Sequence, residues 1–362
     1  MKHLAYGSLL LCALTSNAAA TSILNDVYHI GNSLTFDFLY EYSLDKYSLD
    51  DLAADVGFEN TQTGSHIRCS KGPAYIYQNP SETCEPPTPS TWETALPSQA
   101  WDGIAIQLHH FPNLETLGLQ VDAIINMVGA ATSSQNPDLL LFMPQPRLMW
   151  DVAQRWAEQT LDEDSQPFEY SEKYFRDLIT RVKTQLPQTK VWGIPGPQFQ
   201  LELLATGLIE NRAEIYRDHH HASDAGKWIK RVAHMEIRFG PQDWPPYNET
   251  LDVDWQLAAT ELVRQQMQAF NGSLFPGDYN TDGFVDAADY TKWRDQLGQS
   301  VILPNENPAS ATPGTVDPED YTFWSTRFEG HSVNSSPATV PEPASWLLVL
   351  CAMLAVYRNH RP

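Results

Sequence analysis

Short apolar runs alternate with longer amphipathic runs along most of the chain, from about residue 26 to residue 271. Short apolar runs bounded by turn residues are typical of buried strands, and apolar positions at helical spacing are typical of amphipathic helices. The predicted strands are Val27–Ile30, Ile104–Leu108, Leu139–Met143 and Val191–Ile194, with a weaker one near Phe58–Thr61. The predicted helices are Leu114–Ala131, Phe168–Leu186, Ala225–Phe239 and Trp255–Phe270. This alternation predicts an α/β fold with a parallel sheet covered by helices on both faces.

Several loops directly follow predicted strands, and in a parallel sheet such loops emerge at the same edge. The residues in question are Ser33, Gln107 to His110, Pro144 to Arg147 and Gly196-Pro197. We expect them to share one rim, because open parallel sheets form their ligand sites beyond the carboxyl ends of the strands.

The first of these loops carries a candidate nucleophile, Ser33. The strand predicted to end at Ile30 is followed by Gly31 and Asn32, and an amphipathic stretch begins at once. A strand that turns sharply into a helix exposes a serine hydroxyl above the sheet, near the positive end of the helix dipole. Asn-Ser after a glycine is also ordinary turn and N-cap chemistry, so this segment alone does not identify a nucleophile.

A second segment contains the groups that a serine nucleophile needs. Asp218 and His221 stand three residues apart, just before a predicted helix. A carboxylate in such a loop can orient and charge-stabilise an imidazole that accepts the serine proton. Two other interpretations stay open: Ser223 or Asp224 caps the helix, or the three consecutive histidines bind a metal. No other histidine has a spacing that nominates it as a further metal ligand.

Composition limits the partners and the size of the fold. The 362 residues include 23 Lys and Arg against 45 Asp and Glu, which gives a formal charge of −22. The phosphates of nucleic acid repel such an acidic chain, so nucleic acid is not an expected partner. The length allows one sizeable domain and a second, small one, and hydrophobic residues make up 42% of the chain, which is enough to bury a core.

The first twenty residues predict a secretory signal peptide that is not part of the fold. Lys2-His3 gives a basic start, Leu9 to Leu14 an apolar run, and Ala18 to Ala20 a small-residue cleavage site. Two cysteines, Cys69 and Cys84, lie between the terminal segments of the chain. In an oxidising compartment they could form a disulfide that closes a short loop, and the sequence equally allows two free thiols.

Beyond residue 271 the chain contains an oxygen-rich loop with calcium-binding spacing. Counted from Asp278, oxygen-bearing side chains fall at the first, third, fifth, ninth and twelfth positions, and Gly283 provides the turn at the sixth. Aspartate at the last position replaces the usual bidentate glutamate. The predicted ligands are Asp278, Asn280, Asp282, the carbonyl of Phe284, Asp286 (directly or through water) and Asp289.

The helix that follows this loop is part of an internal repeat. Residues 285–293 return as residues 316–324, a shift of 31. The shift replaces the first three loop ligands by Ala309, Ala311 and Pro313, so the second copy has lost three oxygens and we expect one bound calcium ion. The two helices that we expect to pack on each other carry Trp293, Leu297, Trp324 and Phe328.

The chain ends in a polar linker, residues 331–339, and a segment of three parts, residues 340–362. That segment has a Pro-Glu-Pro motif, an apolar run from Trp346 to Tyr357 and a basic end. The apolar run is short for a membrane span, which needs about twenty residues.

The motifs Gly31-Asn32-Ser33-Leu34-Thr35 and Asp218-x-x-His221 resemble those of the SGNH/GDSL hydrolase superfamily, in the family's order. The resemblance covers roughly residues 26–270 of a domain that spans residues 21–272. It implies a three-layer α/β/α flavodoxin-like fold in which Ser33 is the nucleophile, His221 its base and Asp218 the residue that orients His221. The implied reaction is ester hydrolysis through an acyl-enzyme, without a catalytic metal.

The family's oxyanion hole combines a backbone N–H beside the serine, a glycine N–H after the second strand and an asparagine after the third. Gly64 is the best-placed glycine and Gly72 the next. The asparagine is absent, and Gln107 stands where a side-chain amide could replace it. Alternatively, Gln107 has only a structural role at the end of its strand, and the sequence favours neither interpretation.

Two further resemblances concern the C-terminal part of the chain. Residues 273–330 resemble a type I dockerin module, which implies a cohesin-like partner. Residues 340–362 resemble a PEP-CTERM sorting signal, which implies removal by an exosortase-like enzyme in a bacterium of Gram-negative type. An ordinary C-terminal membrane anchor is the alternative, and both interpretations place the protein in the cell envelope or outside it.

These expectations combine into an exported serine esterase that acts on an ester substrate. An acylated polysaccharide is the expected substrate by analogy with the modular context alone. The alternative is a non-catalytic surface protein that uses the same fold for binding or as a scaffold.

Overall fold

The computed structural model describes residues 23–39, 48–108, 116–131, 136–158, 171–245, 251–281, 283–307 and 310–328. Within these residues one parallel sheet is formed by β1 (Asp26–Gly31), β2 (Gln62–Ile67), β3 (Gly103–Gln107), β4 (Asp138–Met143) and β5 (Val191–Pro195). The strand order is β2-β1-β3-β4-β5. The predicted α/β fold with a parallel sheet is confirmed, and the order is consistent with a flavodoxin-like layout.

Helices connect the strands and flank the sheet. In the described residues they are α1 (Ser33–Leu39), α2 (Leu49–Asp55), α3 (Pro73–Gln78), α4 (Trp92–Ser98), α5 (Leu117–Gly129), α6 (Val152–Trp156), α7 (Glu172–Gln185), α8 (Gly196–Ala205), α9 (Asp224–Phe239), α10 (Val253–Gly272), α11 (Ala287–Gln296) and α12 (Pro318–Ser325). A 3-10 turn, Arg212–Ile215, precedes the loop that leads into α9. Helix α10 ends at Gly272, and the predicted domain boundary at this residue stays a prediction.

Alternate residues of each strand face opposite sides of the sheet, so the apolar strands contribute to two hydrophobic cores. On one face, side chains such as Val27 and Phe142 pack with α1, α2, α8, α9 and α10. On the other face, side chains such as Ile30 and Leu141 pack mainly with α3, α4, α5 and α7. Burial on both faces explains why these strands appear in the sequence as nearly continuous apolar runs.

The weaker strand predicted near Phe58–Thr61 is wrong, because the edge strand β2 begins only at Gln62. Asn60 adopts a φ of 62°, which turns the chain just before the strand. The Phe58 ring stacks on Phe239, with 4.4 Å between ring centroids, instead of joining the sheet. Strand β2 contains no apolar run, so hydrophobic patterning could not locate it.

Beyond α10, helices α11 and α12 pack on each other, as the repeat predicts. Two indole groups join them reciprocally: Trp293 Nε1 donates to the carbonyl of Asp317 (2.8 Å), and Trp324 Nε1 donates to the carbonyl of Asp286 (3.0 Å). Both carbonyls belong to the N-cap residues of the two helices, which are equivalent in the repeat. The packing prediction is confirmed for the tryptophans, whereas Leu297 lies just beyond α11 and is 47% exposed.

None of the helices in the described part of the chain is both long enough and apolar enough to cross a membrane. The predicted signal peptide (residues 1–20), linker (331–339) and sorting segment (340–362) lie outside the described residues. These three assignments therefore stay predictions.

Two histidines are buried between β1 and α9. The ring centroids of His29 and His234 lie 5.6 Å apart, in a pocket closed by Phe38 and Phe142. Neither ring nitrogen of His29 has a hydrogen-bond partner among the residues that the structure describes. Burial holds the pKa of His29 well below its ordinary value and lowers the pKa of His234 to about 3. The folded protein therefore keeps both rings neutral, whereas the unfolded chain protonates them near pH 6.5.

These lowered pKa values make the fold acid-sensitive. The unfolding free energy does not depend on these two rings above about pH 6.5. As the pH falls from there towards their folded-state pKa values, it decreases by about 1.4 kcal/mol per pH unit for each ring. We expect His29→Leu to remove one ring's share of this slope between pH 6 and pH 4. Urea unfolding of both proteins at several pH values measures the slopes, and equal slopes would contradict the expectation.

Candidate active site

The turn between β1 and α1 presents Ser33 at the carboxyl end of β1, the strand next to the sheet edge. A Cβ atom at Gly31 would lie 2.2 Å from Thr35 Oγ1, so only glycine permits α1 to fold back this closely. The Asn32 side chain caps the helix, because its Oδ1 accepts a hydrogen bond from the Leu34 N–H (3.0 Å). Ser33 is the first residue of α1, and its backbone N–H donates to no described residue.

The loop before α9 is closed upon itself. Tyr216 and Ala222 form an isolated antiparallel bridge, and the Arg217 N–H donates to the His221 carbonyl (3.0 Å). Inside the loop, Asp218 Oδ1 accepts hydrogen bonds from the backbone N–H groups of His220 (2.7 Å) and His221 (2.8 Å). The position of the Asp218 carboxylate is therefore fixed by the backbone that carries His221.

The structure brings the three residues of the sequence motifs together. The Ser33 hydroxyl lies 3.2 Å from His221 Nε2, and His221 Nδ1 lies 2.8 Å from Asp218 Oδ2. Although partial burial opposes the shift, the two backbone donors and the imidazole of His221 hold the pKa of the Asp218 carboxyl well below its ordinary value. An ionised carboxylate only accepts hydrogen bonds, so Nδ1 carries the proton and Nε2 is free to accept the proton of Ser33.

Asp37 is a part of the site that sequence analysis did not find. It lies on α1, one helical turn after Ser33, and only 1% of it is exposed. Its Oδ1 accepts from Arg217 Nη2 (3.0 Å), and its Oδ2 accepts from the Ala222 N–H (3.1 Å). The carboxylate thus holds both ends of the loop that carries Asp218 and His221. An acidic residue within the apolar stretch after Ser33 was the available signal.

Gln107 ends β3 beside this turn, but its amide oxygen faces the turn itself. Gln107 Oε1 accepts hydrogen bonds from Thr35 Oγ1 (2.5 Å) and from the Asn32 N–H (3.4 Å), and the side chain is buried. Its Nε2 makes a long contact of 3.5 Å to the carbonyl of Leu108. These contacts favour a structural role for Gln107 over the predicted oxyanion role.

Gly64 is not at the rim of the sheet. It pairs with Tyr28 in the interior of β2, and an added Cβ would lie 2.5 Å from the Tyr28 ring and 2.7 Å from Trp101. Gly64 is therefore a packing position, which argues against its predicted role as an oxyanion donor. The absence of a side chain at Gly64 leaves room for the rings of Tyr28 and Trp101.

Gly72, the second choice of the sequence analysis, lies in the loop that leaves β2. The Asn32 side chain donates through Nδ2 to the Lys71 carbonyl (3.2 Å), which ties this loop to the Ser33 turn. Gly72 is the N-cap of α3, and its own N–H donates to no described residue. The backbone N–H groups of Ser33 and Gly72 therefore both lack an acceptor among the described residues, and they lie on two segments that the Asn32 side chain links.

A disulfide between Cys69 and Cys84 fastens the same loop, with 5.7 Å between the Cα atoms. It selects one of the two alternatives that the sequence left open. The Cys84 N–H also donates to the Ile67 carbonyl at the end of β2 (2.9 Å). The loop that carries Gly72 is therefore attached to the body of the protein on both sides.

Arg212 organises the loop after β4. Its guanidinium donates to four backbone carbonyls, and its Nε donates to Gln200 Oε1 (2.8 Å). The four carbonyls belong to Pro146, Arg147, Leu148 and Trp150. The Leu148 N–H donates to the His219 carbonyl (3.1 Å), so this loop joins the rim next to His221. His109 and His110, also predicted at the rim, lie outside the described residues.

The predicted calcium loop is folded around two buried carboxylates. Asp278 Oδ2 accepts from the Gly283 N–H (2.8 Å). Asp289 accepts from the N–H groups of Asn280 (3.0 Å) and Asp286 (2.7 Å). Among the described residues, which leave out Asp282, no group of three or more His, Cys, Asp or Glu is gathered closely enough to hold a metal. The donor set consists of oxygens, as Ca²⁺ requires.

The second repeat closes its loop with a different carboxylate. The Gly314 N–H, equivalent to that of Gly283, donates to Glu306 Oε1 (3.1 Å). Asp320, equivalent to Asp289, accepts from the Asp317 N–H (3.0 Å) as its counterpart does. The second loop therefore keeps the N-cap hydrogen bond of the first, whereas the Ala311 N–H, equivalent to that of Asn280, donates to Glu319 Oε2 (3.2 Å).

No family model matches the chain, and no curated protein is significantly similar to it. The family resemblances therefore rest on the sequence motifs.

The contacts of Gln107 predict a stability effect. Gln107→Met would leave the buried Asn32 N–H and Thr35 hydroxyl without their acceptor, which we expect to cost about 2 kcal/mol of unfolding free energy. Gln120→Met is the matched control, since Gln120 is a buried glutamine on α5 that donates to the Tyr174 hydroxyl. Urea denaturation measures both. Unchanged stability of Gln107→Met together with a large loss of turnover would favour the oxyanion role instead.

Proposed function

We propose that the protein is a serine ester hydrolase of SGNH type. The observation that carries the proposal is the hydrogen-bonded series from Ser33 through His221 to Asp218, with distances of 3.2 and 2.8 Å. A nucleophile, a base and an orienting carboxylate in this arrangement are what acyl transfer through serine requires. The strand order supports it as well, because Ser33 follows β1 at the point where the order reverses, the usual ligand site of open parallel sheets.

The chemistry follows from the protonation states. His221 Nε2 accepts the Ser33 proton while Oγ attacks the ester carbonyl carbon, and the resulting imidazolium is stabilised by Asp218. His221 then gives this proton to the leaving alcohol, which leaves an acyl group on Ser33. A water molecule, deprotonated by the same nitrogen, releases the acid and restores the serine.

Stabilisation of the oxyanion is assigned to the backbone N–H groups of Ser33 and Gly72. Neither N–H group has a hydrogen-bond acceptor among the described residues, and the Asn32 side chain links the segments that carry them. Each well-placed donor contributes about 3 kcal/mol to transition-state stabilisation. The side-chain donor of the family's third position has no counterpart in Gln107, whose amide oxygen faces Asn32 and Thr35.

The proposed substrate is an ester on an exported or environmental polymer, with an acylated polysaccharide as the first candidate. This part of the proposal rests on the predicted signal peptide, the dockerin-like segment and the sorting segment, and therefore on analogy. A cohesin-like partner and an exosortase-like processing enzyme belong to the same analogy.

The triad proposal predicts large losses of turnover. Ser33→Ala and His221→Ala should each lower kcat by about 10³-fold or more, and Asp218→Asn should lower it similarly or less. Hydrolysis of p-nitrophenyl acetate measures kcat, and labelling by a fluorophosphonate probe reports the activated serine. His219→Ala is the matched control, because that ring neighbours the site in sequence, whereas the imidazole that reaches the Ser33 hydroxyl is that of His221.

Two results would end the proposal. Full ester turnover by Ser33→Ala would show that another group performs the reaction. A wild-type protein that neither reacts with the probe nor hydrolyses any ester would favour the alternative, a surface protein that uses the fold for binding or as a scaffold.

We further propose that the loop from Asp278 to Asp289 holds one structural calcium ion. The residues that would hold it are Asp278, Asn280, Asp282, the carbonyl of Phe284, Asp286 (directly or through water) and Asp289. Buried carboxylates repel one another unless a cation lies among them, which supports the assignment, since Asp278 and Asp289 are both buried.

Matched substitutions in the two repeats test the calcium assignment. Asp289→Asn should abolish binding of the single ion, whereas Asp320→Asn should retain it, although both carboxylates are buried and both accept from an N-cap N–H. Calorimetric titration of the full chain with Ca²⁺ counts the ions, and chelation should lower the unfolding temperature of the wild type. Two ions of similar affinity, or none, would contradict the assignment.

A further inference from the structure

The Asp37 carboxylate is the described acidic group that links the helix of the candidate nucleophile to the loop of the candidate base. It belongs to α1, whereas its two hydrogen-bond donors, Arg217 and Ala222, flank the loop before α9. Ala222 is the neighbour of His221 in the chain, so any shift of this hydrogen bond moves the imidazole relative to Ser33. A displacement of about 1 Å at a reacting group can cost about 10²-fold in rate.

Asp37 also balances a concentration of positive charge. Arg217 reaches Asp37 Oδ1 at 3.0 Å and lies 4.0 Å from Asp218 Oδ2. Lys230 is buried on α9 and donates to the Leu34 carbonyl (3.3 Å). Burial lowers the pKa of Lys230 to about 8, an effect that the Asp37 charge opposes. The Asp37 carboxylate therefore acts on both of these cations.

We propose that Asp37 is a positioning residue of the catalytic site, which holds the His221 imidazole against the Ser33 hydroxyl and compensates the charge of Arg217. This inference rests on the proposed hydrolase function and deepens it. Asp37 touches neither the substrate nor the reacting atoms, so its effect passes through the loop and through the local electrostatic field.

The electrostatic part of the proposal has a readout that a purely structural role would not move. Removal of the carboxylate leaves positive charge beside His221, which disfavours the imidazolium and shifts the acid limb of the kcat/KM profile to lower pH. Removal of Arg217 leaves negative charge and shifts the limb to higher pH. The other charged or titratable groups around the loop are Lys227, paired with Asp224, and Lys230, Asp218, His219, His220 and Arg147.

The experiment compares Asp37→Asn and Arg217→Gln in the full chain, with p-nitrophenyl acetate as substrate. We expect Asp37→Asn to lower kcat by about 10²-fold and to move the acid limb downwards. Arg217 is 39% exposed in its side chain, so Arg217→Gln should fold normally, and we expect it to move the limb upwards. Asp138→Asn is the control, because Asp138 is a carboxylate at the opposite end of the sheet that accepts from Trp192 Nε1.

The outcomes separate this inference from the proposed function. Absence of Ser33-dependent hydrolysis in the wild type would refute the hydrolase proposal itself, and Asp37 would lose its role with it. Ser33-dependent hydrolysis with an unmoved acid limb in Arg217→Gln would overturn the positioning role alone. If Asp37→Asn fails to fold, the Arg217→Gln profile still decides.

Discussion

The close turn between β1 and α1 is the constraint on which the candidate site depends. Helix α1 approaches the end of β1 so closely that Thr35 occupies the space of any side chain at Gly31. Gln107 fixes the turn from the neighbouring strand by accepting from Asn32 and Thr35. With the start of α1 held in this way, its polar side chains point to fixed partners. Asn32 donates to the Lys71 carbonyl in the loop of Gly72, and the Ser33 hydroxyl lies within hydrogen-bond distance of His221. Asp37 accepts from the Ala222 N–H at the end of the loop before α9.

Hydrophobic patterning predicted the interior of this fold well and its edge poorly. The strands that became β1, β3, β4 and β5 are buried on both faces, and such burial leaves an apolar run in the sequence. The edge strand β2 is a polar segment, and it is held by the ladder to β1 and by contacts such as that of Thr63 with Asp50. Interactions of this kind depend on residues far apart in the chain and leave no periodic signal.

The same distinction applies to the site. Ser33, Asp218 and His221 could be nominated because each sits in a local motif, and the structure brings them together. Asp37 and Arg212 belong to no such motif, and their importance comes from partners that are distant in the chain: Arg217 and Ala222 for Asp37, and the loop after β4 for Arg212. The sequence does not show which residue a glycine pairs with in a sheet, so it could not distinguish the buried Gly64 from Gly72 in the loop after β2. Only strand pairing shows Gly64 opposite Tyr28 inside the sheet.

The exchanged indole hydrogen bonds of α11 and α12 have a consequence for cooperativity. Helices of ten and eight residues are too short to persist alone in water. Because each tryptophan donates to the N-cap carbonyl of the other helix, neither helix can unravel at its start without releasing a contact of its neighbour. We therefore expect the two halves to melt as one unit, and order imposed on the first loop to extend to the second through these two hydrogen bonds. An ordered first half can in this way sustain a second half whose loop carries alanine and proline at the equivalent early positions.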